Sequence, residues 1–122
     1  MEFSFERLII WNKSRELVKQ VYLLTAKFPK EERYSLSDQL RRAAVSVASN
    51  IAEGTGRVSK KEKVHFIEIA YGSLMEVICQ ISLAIDLGMA EDTDMDEIRP
   101  LAEELARQLS AYRRSMLDAT KP

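Results

Sequence analysis

The stretch SKKEKVHFIEIAYGSLMEVICQISLAIDLG, Ser59 to Gly88, decides how the chain folds. Val64, Ile67, Tyr71, Leu74, Ile78, Ile81 and Ile85 recur at alternating spacings of three and four, the repeat of one helical face. Ser59 with Glu62 three residues on reads as a capping box: the hydroxyl takes the Glu62 N–H and the carboxylate reaches back. Gly88 supplies the C-cap. The spacing predicts a helix over about 60–87, roughly 40 Å long at the α-helical rise.

The same punctuation divides the flanks. Ile10, Leu17, Val21, Leu24 and Phe28, with Ser14 in the gap, predict a first helix over about 5–28, which Pro29 stops. Leu36, Leu40, Ala43, Ala44, Val47 and Ile51 predict a second over about 36–53. Ser35 and Asp38 resemble a capping box at its start, and Gly54 and Gly56 end it in the left-handed conformation that glycine enters freely. Ile98, Ala102, Leu105, Leu109, Tyr112 and Met116 form the seam of a fourth helix. It starts between Asp94 and Arg99 and runs to about Met116, with Pro100 in its first turn, where a missing N–H costs nothing. Only 4 Gly and 3 Pro occur in 122 residues, too few turn residues for a β-sandwich or small barrel. The expected fold is all-α: one domain over 1–122, an antiparallel up-down four-helix bundle.

Helix 3 is apolar on more than one face. Phe66, Ala70, Ser73, Val77, Gln80 and Ala84 form a second seam about 100° round from the first. On helix 2, Val45, Ala48 and Ala52 lie nearly opposite the core stripe. A helix apolar on two faces is buried on two faces, so the pattern predicts a homo-oligomer. Gly72 is the one glycine inside a helix. There it costs roughly 1 kcal/mol relative to Ala, so a close helix approach is expected at that point. A polar stripe, Gln39, Arg42, Ser46, Asn50 and Glu53, runs beside the helix 2 core, and helix 3 offers Ser73, Glu76 and Gln80. An unsatisfied polar group beside a core costs roughly 1–3 kcal/mol. These residues are therefore expected to pair, as a network fixing register and subunit packing; the alternative is a ligand or partner site.

Catalytic and metal chemistry find little support. Glu62 and His65 have the Glu-x-x-His spacing of di-metal bundles, but such a site needs two copies and the chain has 1 His. No metal or cofactor is expected. Cys79, between Ile78 and Ile81, reads as a packed thiol rather than an activated one. Glu53, Glu68 and Glu76 are the carboxylates that an enzyme would use, and nothing pairs them at catalytic spacing. No phosphate-binding glycine loop or nucleophile elbow is present. The helix 2–helix 3 junction is too glycine-rich, and its helices too long, for a helix-turn-helix. A lone cysteine, no visible signal peptide and no uninterrupted apolar run of about 18 residues lead to the expectation of a cytoplasmic protein without a membrane partner.

Charge is segregated although the formal net charge is −1. Residues 27–63 carry a net +4, residues 86–104 a net −7 and residues 105–122 a net +3. Solvated helix faces account for part of this. Arg57, Lys60, Lys61 and Lys63 gather at the helix 2–helix 3 turn, however, with His65 just beyond. Free N–H groups and the positive end of the helix 3 dipole lie beside them. This is the composition of a phosphate-backbone site, with nucleic acid as its candidate partner, although the chain as a whole is slightly acidic. No aromatic interleaves the lysines to stack bases.

Several ordered motifs resemble one family. They are Phe5-Glu-Arg-Leu-Ile-Ile-Trp11, Phe28-Pro-Lys-Glu-Glu-Arg-Tyr34, Gln39-Leu-Arg-Arg-Ala-Ala-Val-Ser46, Asn50-Ile-Ala-Glu-Gly54 and Ala70-Tyr-Gly-Ser-Leu-Met-Glu76. The chain resembles, over about residues 3–116, the four-helix bundle proteins of intervening sequences in large-subunit ribosomal RNA genes. The third-helix signature usually has Arg where Tyr71 stands. The resemblance implies a small bacterial protein forming a pentameric, barrel-like ring, with no known enzyme activity and a link to RNA through its genomic setting. The related accessory variability determinants of diversity-generating retroelements carry a strongly basic surface, from which this near-neutral chain departs. Arg42, Ser46, Asn50, Glu53, Ser73 and Glu76 match the family signature. The expected function is that of a non-enzymatic homopentamer that binds RNA or acts as a scaffold. The alternative is a ring recruiting a protein partner through the acidic residues 86–104.

Overall fold

A computed structural model describes residues 1–32 and 35–118. Arg33 and Tyr34 of the second motif, and residues 119–122, lie outside the described residues. Four α-helices make up the fold: α1 (Ile9–Thr25), α2 (Leu36–Thr55), α3 (Lys60–Asp86) and α4 (Asp92–Asp118). Short 3-10 turns occupy Ser4–Arg7 and Lys30–Glu32, and no strand occurs among the described residues. Each helix packs on two others, α1 on α2, α2 on α3, α3 on α4 and α4 back on α1, so the bundle is four-sided. The α2–α3 pair has the broadest contact.

One core fills the centre. Ile10, Ser14, Leu17, Val21, Leu24 and Phe28 are buried, as their spacing predicts. So are Leu40, Ala43, Ala44, Val47 and Ile51 of α2, and Ile98, Ala102, Leu105 and Leu109 of α4. On α3 the buried face falls between the two predicted seams. Val64, Ile67, Ala70, Leu74, Val77, Ile81 and Ala84 point inward, while Ile78 and Ile85 are half-buried and Tyr71 is 38% exposed. A helix wedged between two neighbours buries the bisector of its two contact lines. The second seam is therefore satisfied inside one chain. Ser73 and Gln80 meet Ser46 and Gln39 of α2, and the Phe66 Cβ lies 3.1 Å from where a Cβ on Gly54 would stand.

The helix ends depart from the sequence reading in instructive ways. α1 begins at Ile9 because the Asn12 side-chain amide donates to the Glu6 and Leu8 carbonyls, both at 3.0 Å, and Leu8 is extended. It ends at Thr25, whose hydroxyl bonds back to the Val21 carbonyl at 2.9 Å. Pro29 disfavours helical geometry at Phe28. Ser35 makes no side-chain cap; Asp38 instead pairs with Arg42 at 3.0 Å, one helical turn on. The Ser59 hydroxyl does accept the Glu62 N–H, at 3.0 Å. α4 starts at Asp92, two residues before the earliest expected start, so Pro100 lies inside the helix rather than in its first turn. The Asp94 carboxylate accepts the Glu91 N–H at 2.8 Å, acidic residues suit the positive helix end, and buried Met95 anchors the first turn. Pro100 removes the donor to the Asp96 carbonyl, on a face exposed to solvent.

The glycines separate by mechanism. Gly88 alone is left-handed, at φ +77°. Met89 N–H bonds to the Ala84 carbonyl at 2.9 Å and Gly88 N–H to the Ile85 carbonyl at 3.0 Å, a Schellman motif. Gly54 and Gly56 have no positive φ. α2 runs through Gly54 to Thr55, and Gly54 is needed for the close approach of Phe66 rather than for a C-cap. The close approach expected at Gly72 does not exist within the chain: a Cβ there would meet nothing within 4 Å.

Candidate nucleic-acid interface

The α2–α3 turn places the basic residues in two groups. On the α2 side, the Lys63 ammonium donates to the Thr55 carbonyl at 3.1 Å and so caps the end of α2. The Arg57 guanidinium lies 4.7 Å over the Phe66 ring. Both cations are thereby used in holding the turn together, with Arg57 still exposed. On the α4 side, exposed Lys60, Lys61 and His65 line a cavity of about 430 Å³ with Val64, Glu68 and Leu117. His65 packs edge-on to Phe66 at 5.6 Å. Lys60 opens α3, so its charge adds to the positive end of the helix dipole and to free backbone N–H groups.

A second cavity of about 260 Å³ continues along the same groove, bounded by Ile67, Glu68, Tyr71, Leu109, Ser110 and Arg113. Glu68 stands in the wall of both, and Arg113 Nε lies 3.6 Å from its carboxylate. Sequence spacing alone does not reveal this groove. Tyr71 falls on the predicted core seam, and Arg113 comes from a helix that carries no motif.

The polar stripe divides into two hydrogen-bonded groups. Ser46 and Ser73 share a hydroxyl–hydroxyl bond of 2.8 Å, and Asn50 Nδ2 donates to the Ser46 carbonyl at 2.8 Å and its hydroxyl at 3.0 Å. Gln80 Nε2 donates to Glu76 at 3.2 Å and reaches Gln39 at 3.5 Å. Its Oε1 is buried without a partner among the described residues. Arg42 is turned to Asp38, and Glu53 is exposed at the end of the stripe.

No cluster of His, Cys, Asp and Glu among the described residues is arranged to hold a metal ion. The Cys79 thiol is exposed rather than packed, because the core face of α3 turns through Val77 and Ile81 and leaves residue 79 outside. At the opposite end of α3, Asp86, Asp92, Asp96 and Arg99 line one cavity. Nearby, Lys27 bonds to Asp94 at 2.8 Å, tying the end of α1 to the start of α4. The α3–α4 turn thus carries acidic residues, and Arg57, Lys60, Lys61 and Lys63 lie at the α2–α3 turn, while Lys27 of the basic segment lies at the acidic end.

Comparison with known proteins fits this architecture. The chain is similar to the crystal structure, at 1.70 Å resolution, of a protein of unknown function from the S23 ribosomal protein family of Bacteroides thetaiotaomicron VPI-5482. The TM-score is 0.79 at 20% identity, covering 86% of this chain and 98% of that one. At that identity the likeness speaks for the fold alone. No curated protein matches the chain. The family model of the 23S rRNA-intervening sequence protein matches residues 6–111, a span that reaches into all four helices. With its sequence motifs and its four-helix fold on that span, the chain belongs to the 23S rRNA-intervening sequence protein family.

Proposed function

We propose that the protein is a non-enzymatic, RNA-binding oligomer of antiparallel up-down bundles, with the RNA held at the basic end. The observation that carries this reading is the cluster of Lys60, Lys61 and His65 around one groove at the start of α3. Cations in that position gain from phosphate neutralisation and from release of the counterions condensed on RNA. The contacts between α2 and α3 support the antiparallel arrangement: Gln39 with Gln80, Ser46 with Ser73 and Thr55 with Lys63.

Assembly is favoured by the outside of α3 rather than by its second seam. An 18-residue window of α3 reaches a mean hydropathy of 1.4, apolar enough to cross a membrane, yet only 33% of it is buried. Ile69, Met75, Leu83 and Leu87 are exposed by 38%, 41%, 47% and 68%. Exposed apolar area of this extent on one helix marks an association surface, and the occupant we propose is another copy of the chain, closing into a pentameric ring. Native mass spectrometry tests the assembly directly: a pentamer is expected at micromolar protein, and monomer alone contradicts it.

The RNA reading is tested by fluorescence anisotropy of a labelled ribosomal RNA fragment. Affinity is expected to fall log-linearly with salt between about 50 and 200 mM. The variant Lys61→Glu is expected to weaken binding while keeping the parent's mass and melting temperature. Lys63 and Arg57 are left intact because they hold the turn. Absence of RNA affinity at low salt contradicts the reading and favours recruitment of a protein partner through the acidic end.

A further inference from the structure

We propose that the α3–α4 groove takes unpaired rather than duplex RNA, with Tyr71 as the stacking surface for a base and Glu68 as the reader of its edge. This rests on the RNA-binding reading above and names the form of RNA that the site accepts.

The lysines at the start of α3 have no base-stacking aromatic among them in sequence, but the fold supplies one further along. Tyr71 stands about 15 Å from Lys61 along the helix, at 1.5 Å per residue. The two share a groove that runs past His65 and Glu68 through the adjoining cavities of about 430 and 260 Å³. Its floor is apolar, formed by Val64, Ile67 and Leu109. Tyr71 is 38% exposed and lines this space. Bases in a duplex are stacked on each other and show no free face to a groove between two helices. Single-stranded segments splay their bases onto aromatic and guanidinium planes.

The charge pattern along the groove is graded in the way such a strand requires. Lys61 and His65 lie at one end, where a phosphate gains. Glu68 lies in the middle, where a phosphate is repelled and a base amino group is welcomed, since a carboxylate accepts from the cytosine N4 amino group. Arg113, with its Nε 3.6 Å from the Glu68 carboxylate, offsets part of its charge. Uracil presents a carbonyl oxygen at the same position and gains nothing from Glu68. The groove is therefore expected to prefer cytosine over uracil.

The test is anisotropy of labelled oligocytidine and oligouridine of about twelve nucleotides, against an RNA duplex of the same length, with the full chain. Oligocytidine is expected to bind more tightly than either. Tyr71→Ala is expected to weaken oligocytidine roughly five- to hundred-fold while Tyr71→Phe stays within about twofold, because only the ring face is used. Glu68→Gln is expected to narrow the preference for cytosine. Duplex RNA binding as tightly as oligocytidine overturns the proposal. So does undiminished oligocytidine binding by a Tyr71→Ala protein of normal mass and melting temperature. Either result leaves RNA binding itself standing. Indifference of every RNA to Lys61→Glu instead removes the reading on which the proposal rests.

Discussion

Gly54 and Gly72 make a matched pair, because the same substitution has opposite consequences at the two sites. Both lie within helices, where Gly→Ala gains roughly 1 kcal/mol from reduced backbone entropy in the unfolded chain. At Gly72 the new Cβ meets nothing within 4 Å, so the gain is kept. At Gly54 it lands 3.1 Å from the Phe66 Cβ and 3.6 Å from the Lys63 carbonyl oxygen. The Phe66 Cβ is fixed by the α3 backbone, so the contact is relieved only by moving α3 away from α2. Overpacking of this kind costs typically 1–3 kcal/mol, which cancels the gain or exceeds it. Gly72→Ala is thus expected to be more stable than Gly54→Ala by on the order of 1–3 kcal/mol. For a chain of this size that is a gap on the order of 5–10 °C in Tm. Thermal melts followed by circular dichroism, with urea titration for the free energies, measure it. The double variant Gly54→Ala, Phe66→Gly removes the Phe66 Cβ, relieves the contact and should show a non-additive coupling. A Gly54→Ala protein that melts at or above Gly72→Ala refutes the packing argument.

Three further expectations follow from other contacts. The Asp94 carboxyl is held below its ordinary value of 3.8, first by the Glu91 N–H and then by Lys27. Its contribution is therefore present above the unfolded value and is lost as pH falls through the folded one. Asp94→Asn should cost roughly 1 kcal/mol at neutral pH, a deficit that shrinks below about pH 4 in urea titrations. Ser46→Ala and Ser73→Ala should couple by roughly 0.5–1.5 kcal/mol in a double-mutant cycle, because each leaves the other hydroxyl short of a partner; simple additivity would deny the pair any role. Gly72→Leu should leave the folded bundle intact while reducing the mass seen by native mass spectrometry. An unchanged mass places the subunit contact elsewhere.

Much of the fold is legible in the sequence because burial in a bundle follows helical periodicity. Leu17, Leu40, Leu74 and Leu105 are all fully buried, and each belongs to a seam visible as spacing alone. Helix ends are less legible. Asn12, Thr25 and Asp94 terminate or start helices through side-chain bonds to the backbone. Those bonds compete with the helix and leave no periodic trace. The second seam of α3 is also ambiguous in sequence: an apolar stripe does not say whether its cover is another helix of the same chain or a second copy. Here α2 supplies the cover, and the exposed apolar surface lies further round, at Ile69, Met75 and Leu83. Lys60, Lys61 and His65 stand together in sequence and so were visible as a candidate site. Tyr71 reads as a core residue in sequence because a 3/4 seam continues through it. Arg113 meets Glu68 only through the tertiary pairing of α3 with α4, which no local pattern encodes.

The account is tested most directly by locating RNA on the protein. Ultraviolet cross-linking of the full chain to RNA at low salt, followed by peptide mass spectrometry, reports which residues touch the bases. Cross-links are expected on the α3 segment from Lys60 to Tyr71 and on the α4 segment around Arg113. Cross-links confined to the acidic residues 86–104, or none at low salt, would contradict it.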